Sequence, residues 1–137
     1  MNPTTIRLKN NLTELERLSQ MVSEFGEAHR LSPKIVYALN LSLDEILTNV
    51  IYYGYEDTNE HCIIIRISLK DEVLTAEVED DGRAFNPLEA AKPDLKKPLE
   101  ERQVGGLGIH LVKNLMDTVA YKRLGGKNLL VMKKKIN

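Results

Sequence analysis

Two pairs of short segments with alternating apolar residues constrain the fold of this chain most strongly. Residues 61–69 and 73–80 form the first pair, and residues 118–135 form the second pair around Gly125-Gly126. The turn within each pair is too short for a crossover helix, so each pair predicts an antiparallel hairpin. We therefore expect a sheet that is built largely from hairpins.

Apolar residues at helical spacing mark two long segments before the first hairpin. Thr13 and Glu16 fit a capping box at the start of the first segment. The second helix is expected over residues 33–53, because Ser32 is a good N-cap and a proline follows it at the first helical position. Gly54 is expected to end this helix in the way usual for glycine.

The order of all segments predicts the architecture. A strand over residues 4–9 comes first, and a third helix is expected within residues 105–117, before the second hairpin. Together these segments predict an α/β fold: a two-layer sandwich whose mixed, mostly antiparallel sheet is covered on one face by three helices. We expect a single domain over residues 1–137. Residues 88–104 are polar and interrupted by prolines, and such long internal segments are usually functional or disordered.

Charge and cysteine content exclude some classes of function. The formal net charge of −1 argues against a general nucleic-acid-binding protein. The single cysteine, Cys62, fits a reducing compartment, and we expect its side chain to be buried. No signal peptide is recognised, and no apolar run approaches the ~18–20 residues of a membrane span. We therefore expect a cytoplasmic protein with no direct nucleic-acid or membrane partner.

A line of polar side chains runs along the second helix. Glu45, Asn49 and Tyr53 are spaced four residues apart, so they lie above one another beside the apolar stripe. A solvent-facing edge of the helix is the simplest explanation. Alternatively, the amide suits a hard cation such as Mg²⁺, and the glutamate can act as a general base.

The second strand of the first hairpin ends with a carboxylate on its core-facing side. Asp80 shares the parity of Leu74, Ala76 and Val78 and comes just before Gly82. A turn alone accounts for Asp-Asp-Gly. An inward carboxylate, however, needs a partner, because burying an unpaired charge is costly. The exocyclic amine of a purine is a suitable donor.

Glycines open the third helix. Gly105, Gly106 and Gly108 stand where free N–H groups and the helix dipole favour an anion. Glycine also lets the backbone approach phosphate oxygens closely. The turn is not a Walker A motif, because no Lys-Ser or Lys-Thr pair follows it. It also lacks the third glycine of a dinucleotide-binding fingerprint.

Along the chain, the motifs occur in this order: E-x-x-x-N on a long helix, D-x-G at a strand end, a loop, and G-x-G at the start of a helix. In this order the chain resembles the GHKL ATP-binding family, which has the Bergerat ATPase fold. Within that family it is similar to the small bacterial anti-sigma factor serine/threonine kinases. The segments that carry the resemblance are DEILTNVIYYGY, VEDDGRAFNP and GGLGIHLVKNLMD.

The resemblance implies a role for each motif. It implies that Glu45 is the general base toward a substrate serine, that Asn49 is a Mg²⁺ ligand, and that Asp80 anchors adenine. It also implies that residues 88–104 form an ATP lid. The ATP-binding residues that it implies are Asn49, Tyr53, Asp80, Gly82, Ala84, Gly105, Gly106, Leu107, Gly108 and Ile109.

Three positions depart from the family pattern. Ala84 stands where many relatives have glycine, and alanine fits there if its φ is negative. Tyr53 stands where others carry histidine, and Asn128 stands where a threonine near the adenine is common. These departures leave the base, the metal ligand and the adenine carboxylate in place.

The function that the resemblance implies is that of an ATP- and Mg²⁺-dependent serine/threonine kinase of the anti-sigma factor type. Its substrate would be an anti-anti-sigma protein of the STAS type. Phosphorylation of that protein would control a partner switch with a sigma factor, and hence transcription, or with another regulated protein. A homodimer is compatible with the resemblance. Two alternatives stay open: a non-catalytic ATP-binding module that sequesters a partner, and a slow stand-alone ATPase.

Overall fold

The computed structural model of the protein describes residues 3–86, 88 and 106–136. The described strands are β1 (Thr4–Lys9), β2 (Cys62–Lys70), β3 (Val73–Asp80), β4 (Thr118–Leu124) and β5 (Lys127–Lys135). The described helices are α1 (Leu15–Ala28), α2 (Pro33–Tyr53) and α3 (Gly106–Leu115), and a short 3₁₀ turn, Leu12–Glu14, precedes α1. None of these helices combines the length and the hydrophobicity that crossing a membrane requires.

The described strands form one sheet in the order β1-β2-β3-β5-β4. Every neighbouring pair is antiparallel, so the described sheet is antiparallel throughout rather than mixed. The predicted α/β two-layer sandwich with its three helices is confirmed. β3 lies at the centre of the sheet beside β5, and this pairing sets Asp80 opposite Asn128.

One face of the sheet is buried beneath the helices. Ile63, Ile65 and Ile67 of β2 are 0% exposed, because alternate residues of a strand point to the same face. Burial of each such side chain contributes roughly 1.5–3 kcal/mol. The same core takes in residues of β3, β5 and all three helices, and Met116 just after α3: Leu74, Ala76, Val78, Leu130, Met132, Leu18, Val22, Leu39, Leu43, Ile46, Leu47, Ile109 and Val112.

Both predicted hairpins are present, and each closes through residues with positive φ. Asp71 and Glu72 join β2 to β3 with φ of 52° and 64°. Gly125 and Gly126 join β4 to β5 with φ of 56° and 76°. Two-residue turns of this kind match the right-handed twist of the flanking strands.

The helix ends follow the sequence signals only in part. Ser32 caps α2, because its Oγ accepts a hydrogen bond from the amide of Ile35 at 3.3 Å. The capping box predicted at Thr13 is wrong, since Asn11 caps the preceding turn by accepting a hydrogen bond from the Thr13 amide at 3.0 Å. Gly54 does end α2, but its φ of −82° is not left-handed.

Cys62 is exposed, so the prediction that its side chain is buried is wrong. It is the first residue of β2, and the alternation that turns Ile63 inward turns Cys62 outward. The apolar run beside a residue is therefore a poorer guide to burial than its parity in the strand.

Candidate nucleotide-binding site

A pocket opens where the C-terminal half of α2 meets the ends of β3 and β5. Its wall is mostly apolar with a few polar side chains, which is the usual form of a small-molecule site. The described residues that line it are Ile46, Asn49, Val50, Gly54, Val78, Asp80, Phe85, Tyr121, Asn128 and Leu130.

Asp80 provides the carboxylate of this pocket. It is 5% exposed, as its inward parity predicts. Its Oδ1 accepts hydrogen bonds from the amide of Gly82 and from Nδ2 of Asn128, both at 2.9 Å. Burial raises the pKa of Asp80 from its ordinary value, while these two hydrogen bonds and the charge of Arg123 oppose the rise. The site thus holds a buried carboxylate whose Oδ1 is hydrogen-bonded by the protein itself.

The turn after β3 packs directly against the end of α2. The amide of Arg83 donates to the carbonyl of Gly54 at 2.8 Å, and the Arg83 Nε donates to the carbonyl of Tyr53 at 2.7 Å. A Cβ at Gly82 would lie 2.3 Å from the Gly54 carbonyl oxygen. Gly82 is therefore required by this close approach, and the turn that carries Asp80 is fixed to the helix that carries Asn49.

The polar line on α2 faces the pocket and α3. Asn49 is 4% exposed and lines the pocket, and its buried Nδ2 has no hydrogen-bond partner among the described residues. Glu45, one turn earlier, lies against the first turn of α3: a Cβ at Gly108 would sit 1.9 Å from its Oε2. The solvent-facing explanation therefore fails for Asn49. The line leads from the pocket toward the start of α3.

The Asn49 amide fits a role in holding a cation with few protein ligands. Mg²⁺ usually keeps several waters and takes one or two protein ligands plus substrate phosphates. No cluster of three or more His, Cys, Asp or Glu side chains that could hold a metal occurs in the described part of the chain. The Oδ1 of Asn49, a lining residue of the pocket, is the atom that suits a ligand of this sparse kind, because Nδ2 only donates hydrogen bonds.

Tyr53 and Ala84 lie near the pocket without lining it. The Tyr53 ring contacts that of Phe85, a lining residue, with ring centres 6.1 Å apart. Ala84 is exposed, and it is not among the described non-glycine residues with positive φ. Alanine therefore fits at this position without strain.

The predicted phosphate-binding segment is described in part. Gly106 and Leu107 lie in the first turn of α3, and Gly108 faces Glu45. Ile109 is 3% exposed within the core, so only its backbone is left to contact a nucleotide. Gly105 lies outside the described residues, and so does the predicted lid, residues 88–104, apart from Leu88, whose carbonyl accepts a hydrogen bond from Lys113 at 3.1 Å.

Sequence reasoning missed several side chains of the site. Phe85 and Tyr121 line the pocket, and Arg123 donates to the carbonyl of Gly82 at 2.7 Å. Strand parity offers a signal for the two β4 residues, because Tyr121 and Arg123 share the inward face with Val119. No comparable signal marks Phe85, which lies beyond the end of β3.

An ionic cluster adjoins the turn that holds Asp80. Nε2 of His61 lies 2.7 Å from Oδ1 of Asp57, and its Nδ1 lies 3.3 Å from Oδ1 of Asp81. The imidazole stacks on the ring of Tyr55 with centres 4.2 Å apart. The hydrogen bond with Asp57 raises the pKa of His61 from its ordinary value. The cluster ties the loop between α2 and β2 to the residue next to Asp80.

The fold is that of an ATPase-type domain. The family model described as "Histidine kinase-like ATPase domain" matches residues 8–134. Since this match spans most of the chain, the protein belongs to that family. The resemblance based on the three motifs is confirmed.

Relatives within the family include serine kinases and anti-sigma factors. The serine/threonine-protein kinase BtrW of Bordetella bronchiseptica is 27% identical over 103 residues, which are 75% of this chain and 72% of BtrW. An anti-sigma F factor of Clostridium perfringens is 29% identical over 100 residues, which are 72% of this chain and 71% of that protein.

A solved structure supports the same fold. The structure of the RsbU and RsbW domains of Rv1364c from Mycobacterium tuberculosis matches 99% of this chain with a TM-score of 0.72. The match covers 33% of that longer chain at 14% sequence identity. At this identity the likeness confirms the fold alone.

Proposed function

We propose that this protein is an ATP- and Mg²⁺-dependent serine/threonine kinase of the anti-sigma factor type. The observation that carries the proposal is the arrangement of three side chains. Asn49 and Asp80 line one pocket, and Glu45, one helical turn before Asn49, lies against the first turn of α3. Relatives named as a serine/threonine kinase and as anti-sigma factors support it.

Asp80 recognises the adenine base in this proposal. Among the described residues, both hydrogen bonds of its carboxylate are accepted by Oδ1. Oδ2 carries neither of them and accepts a hydrogen bond from the exocyclic amine of adenine. Val78, Leu130 and Phe85 provide apolar surface around the base. Burial strengthens such a charge-assisted bond because the local dielectric is low.

The phosphates lie along the polar line of α2, toward the first turn of α3. Backbone N–H groups at the start of a helix favour phosphate through their free donors and the helix dipole. Asn49 would hold Mg²⁺, which supplies neutralisation of phosphate charge when it is bound.

Glu45 acts as the general base. It accepts the proton of a partner's serine hydroxyl as that oxygen attacks the γ-phosphorus. A new O–P bond forms, the bond to the β,γ-bridging oxygen breaks, and ADP leaves with that electron pair. Positioning and charge stabilisation supply most of the rate in such transfers.

The proposed substrate is an anti-anti-sigma protein of the STAS type, and the second proposed partner is a sigma factor that is released or held according to the phosphorylation of that substrate. Two other candidate functions share the same pocket. A non-catalytic module would bind ATP and the partner without transferring phosphate. A slow ATPase would use Glu45 to activate water.

A transfer assay separates these readings. The protein is incubated with Mg²⁺ and γ-labelled ATP, with and without a purified STAS-type antagonist. We compare wild type, Glu45→Gln and the exposed acid control Glu16→Gln. Glutamine has nearly the shape of glutamate and keeps the packing against Gly108, so Glu45→Gln is expected to bind ATP normally. Its transfer rate is expected to fall roughly 10²- to 10⁴-fold, because the base is lost.

Each outcome selects one reading. Phosphoserine on the antagonist supports the kinase. Tight antagonist binding without phosphate supports the binding module, and phosphate release that needs no antagonist supports the ATPase. Transfer at the wild-type rate by Glu45→Gln would show that Glu45 is not the base.

A further inference from the structure

Asn128 uses all of its hydrogen-bonding capacity inside the protein. Its Nδ2 donates to Oδ1 of Asp80 at 2.9 Å and to the carbonyl of Arg83 at 2.8 Å. Its Oδ1 accepts hydrogen bonds from the hydroxyl of Tyr121 and from Nη1 of Arg123, the latter at 3.1 Å. A guanidinium only donates and a backbone carbonyl only accepts, so these partners fix the orientation of the amide.

The same network holds the turn after β3 from two sides. Arg123 uses its Nη1 to donate to the Gly82 carbonyl at 2.7 Å as well as to Asn128. The Gly82 amide donates back to Oδ1 of Asp80. Side chains of β4 and β5 therefore hydrogen-bond to the end of β3 and its turn, in addition to the backbone hydrogen bonds of the sheet. The Asp80 carboxylate cannot rotate without breaking both bonds to its Oδ1.

Asn128 has no free donor for a nucleotide. Both of its amide hydrogens are taken, and the residue is 5% exposed although it lines the pocket. A direct bond from Nδ2 to a base would leave either the carboxylate of Asp80 or the carbonyl of Arg83 unpaired. Leaving a buried acceptor unpaired is costly.

We propose that Asn128 is a positioning residue for base recognition: it holds Oδ1 of Asp80 so that Oδ2 of the same carboxylate meets the 6-amino group of the purine. The inference rests on the proposed function, since it concerns the same nucleotide. Asn128 acts through Asp80 and makes no contact of its own with the base. Arg123 and Tyr121 keep the amide in the orientation that this task needs.

The hydrogen bond from Asn128 is one of the interactions that set the pKa of Asp80, so the titration of Asp80 detects the loss of that bond. Burial and the neighbouring carboxylate of Asp81 raise the pKa of Asp80, whereas the Asn128 and Gly82 hydrogen bonds and the Arg123 charge lower it. Tyr55 also faces this carboxylate from the loop after α2, and its burial keeps it neutral. Loss of the Asn128 donor should therefore raise the pKa of Asp80 further.

Two measurements on the full chain test the proposal. The first is the titration midpoint of the Asp80 carboxyl carbon, followed by NMR on ligand-free protein. The second is the calorimetric affinity for ATP and for purine riboside 5′-triphosphate, which lacks the 6-amino group. The variants are Asn128→Ala, Asn128→Asp and the exposed control Asn114→Ala. Asn128→Asp keeps the shape and the acceptor, so it serves if the alanine variant does not fold.

We expect the Asp80 midpoint to rise from wild type to Asn128→Ala and again to Asn128→Asp, which adds a second carboxylate. The preference for ATP over the purine analogue should fall roughly tenfold in both variants, whereas a purely structural loss would weaken both ligands equally. An unchanged midpoint or an unchanged preference overturns the inference and leaves the proposed function intact. A wild-type protein that does not bind millimolar ATP overturns both.

Discussion

The carboxylate of Glu45 lies against the α-carbon of Gly108, so closely that a methyl group at that carbon would sit 1.9 Å from Oε2. The helix that is proposed to hold the phosphates and the residue proposed as the base therefore share one contact. Besides the backbone access to phosphate that is proposed for it, glycine at position 108 leaves room for the Glu45 carboxylate.

Gly108→Ala should displace Glu45 while sparing the fold. The atom that an alanine Cβ would meet is Oε2 of Glu45, at the end of a flexible side chain that can move aside. Alanine also favours a helix more than glycine does, so the free energy of unfolding should not fall. Phosphoryl transfer should fall roughly 100-fold, because misplacement of a catalytic group by about 1 Å is that costly. Single-turnover transfer and urea unfolding measure the two effects. Asn114→Ala, on the exposed face of the same helix, is the control; equal transfer by both variants would contradict the prediction.

Gly82→Ala should damage both stability and nucleotide binding. Its methyl group would lie 2.3 Å from the Gly54 carbonyl oxygen and 2.9 Å from Oδ1 of Asp80. Backbone cannot yield as a side chain can, so the turn must shift, and overpacking of this kind costs about 1–3 kcal/mol. Urea unfolding and ATP calorimetry measure the result.

Gly125→Ala is the matched contrast for that substitution. Gly125 has φ of 56°, and no atom of the described residues lies within 4 Å of the position that a Cβ would take. Alanine there adds backbone strain without a clash, in the exposed turn between β4 and β5. It should lower stability and leave ATP affinity unchanged. If Gly82→Ala also left ATP affinity unchanged, the link between the turn and the base-binding carboxylate would be wrong.

Much of the fold was predictable because it follows from local periodicity. The alternation in β2 and β3 predicts that Ile65 and Asp80 point inward, and helical spacing predicts that Glu45 and Asn49 lie in one line; the structure has both features. The motif order then indicates the family that the match over residues 8–134 confirms.

The contacts that sequence reasoning missed depend on tertiary structure. Asn128 meets Asp80 across 48 residues only because β5 pairs with β3, and no local pattern reveals that pairing. The Thr-x-x-Glu pattern predicts a capping box at Thr13, but Oδ1 of Asn11 accepts the hydrogen bond from the Thr13 amide that Glu16 would accept in such a box. The loop between α2 and β2 carries His61 to Asp81 for a similar reason: only the folded sheet brings them together.

Asp80→Asn should lower the affinity for ATP and raise the stability of the fold near neutral pH. The folded state raises the pKa of Asp80, so the folded protein binds more protons than the unfolded protein once pH exceeds the ordinary value of 3.8. The contribution of this carboxyl group to the stability of the wild type is therefore lost as pH rises from 3.8 through the raised pKa. Asparagine keeps an acceptor for Gly82 and Asn128 and removes the buried charge. ATP affinity should fall roughly 10- to 100-fold.

The pH series checks the sign of that effect. Urea unfolding of wild type and Asp80→Asn is compared at acid and neutral pH, with the exposed variant Glu16→Gln as the charge control. The stability of Asp80→Asn relative to wild type should increase from acid to neutral pH. A relative stability that decreased toward neutral pH would mean that the ionised carboxylate stabilises the fold.

Arg30→Gly should stabilise the protein without touching the site. Arg30 follows α1 with φ of 56°, where the amide of Leu31 bonds to the carbonyl of Gly26 and the amide of Arg30 bonds to that of Glu27. This is the helix end that glycine normally occupies, because a side chain is strained there. Relief of the strain, less the entropy lost by glycine, should raise the free energy of unfolding by about 0.5–1 kcal/mol.

Arg30→Ala is the matched control for that gain, because alanine removes the guanidinium but keeps the strain. Only the glycine variant should shift the urea midpoint upward. ATP affinity should stay at the wild-type value in both variants, since Arg30 precedes α2 while the pocket is lined by the C-terminal half of that helix. Equal midpoints for the two variants would assign the effect to the lost side chain instead of the backbone.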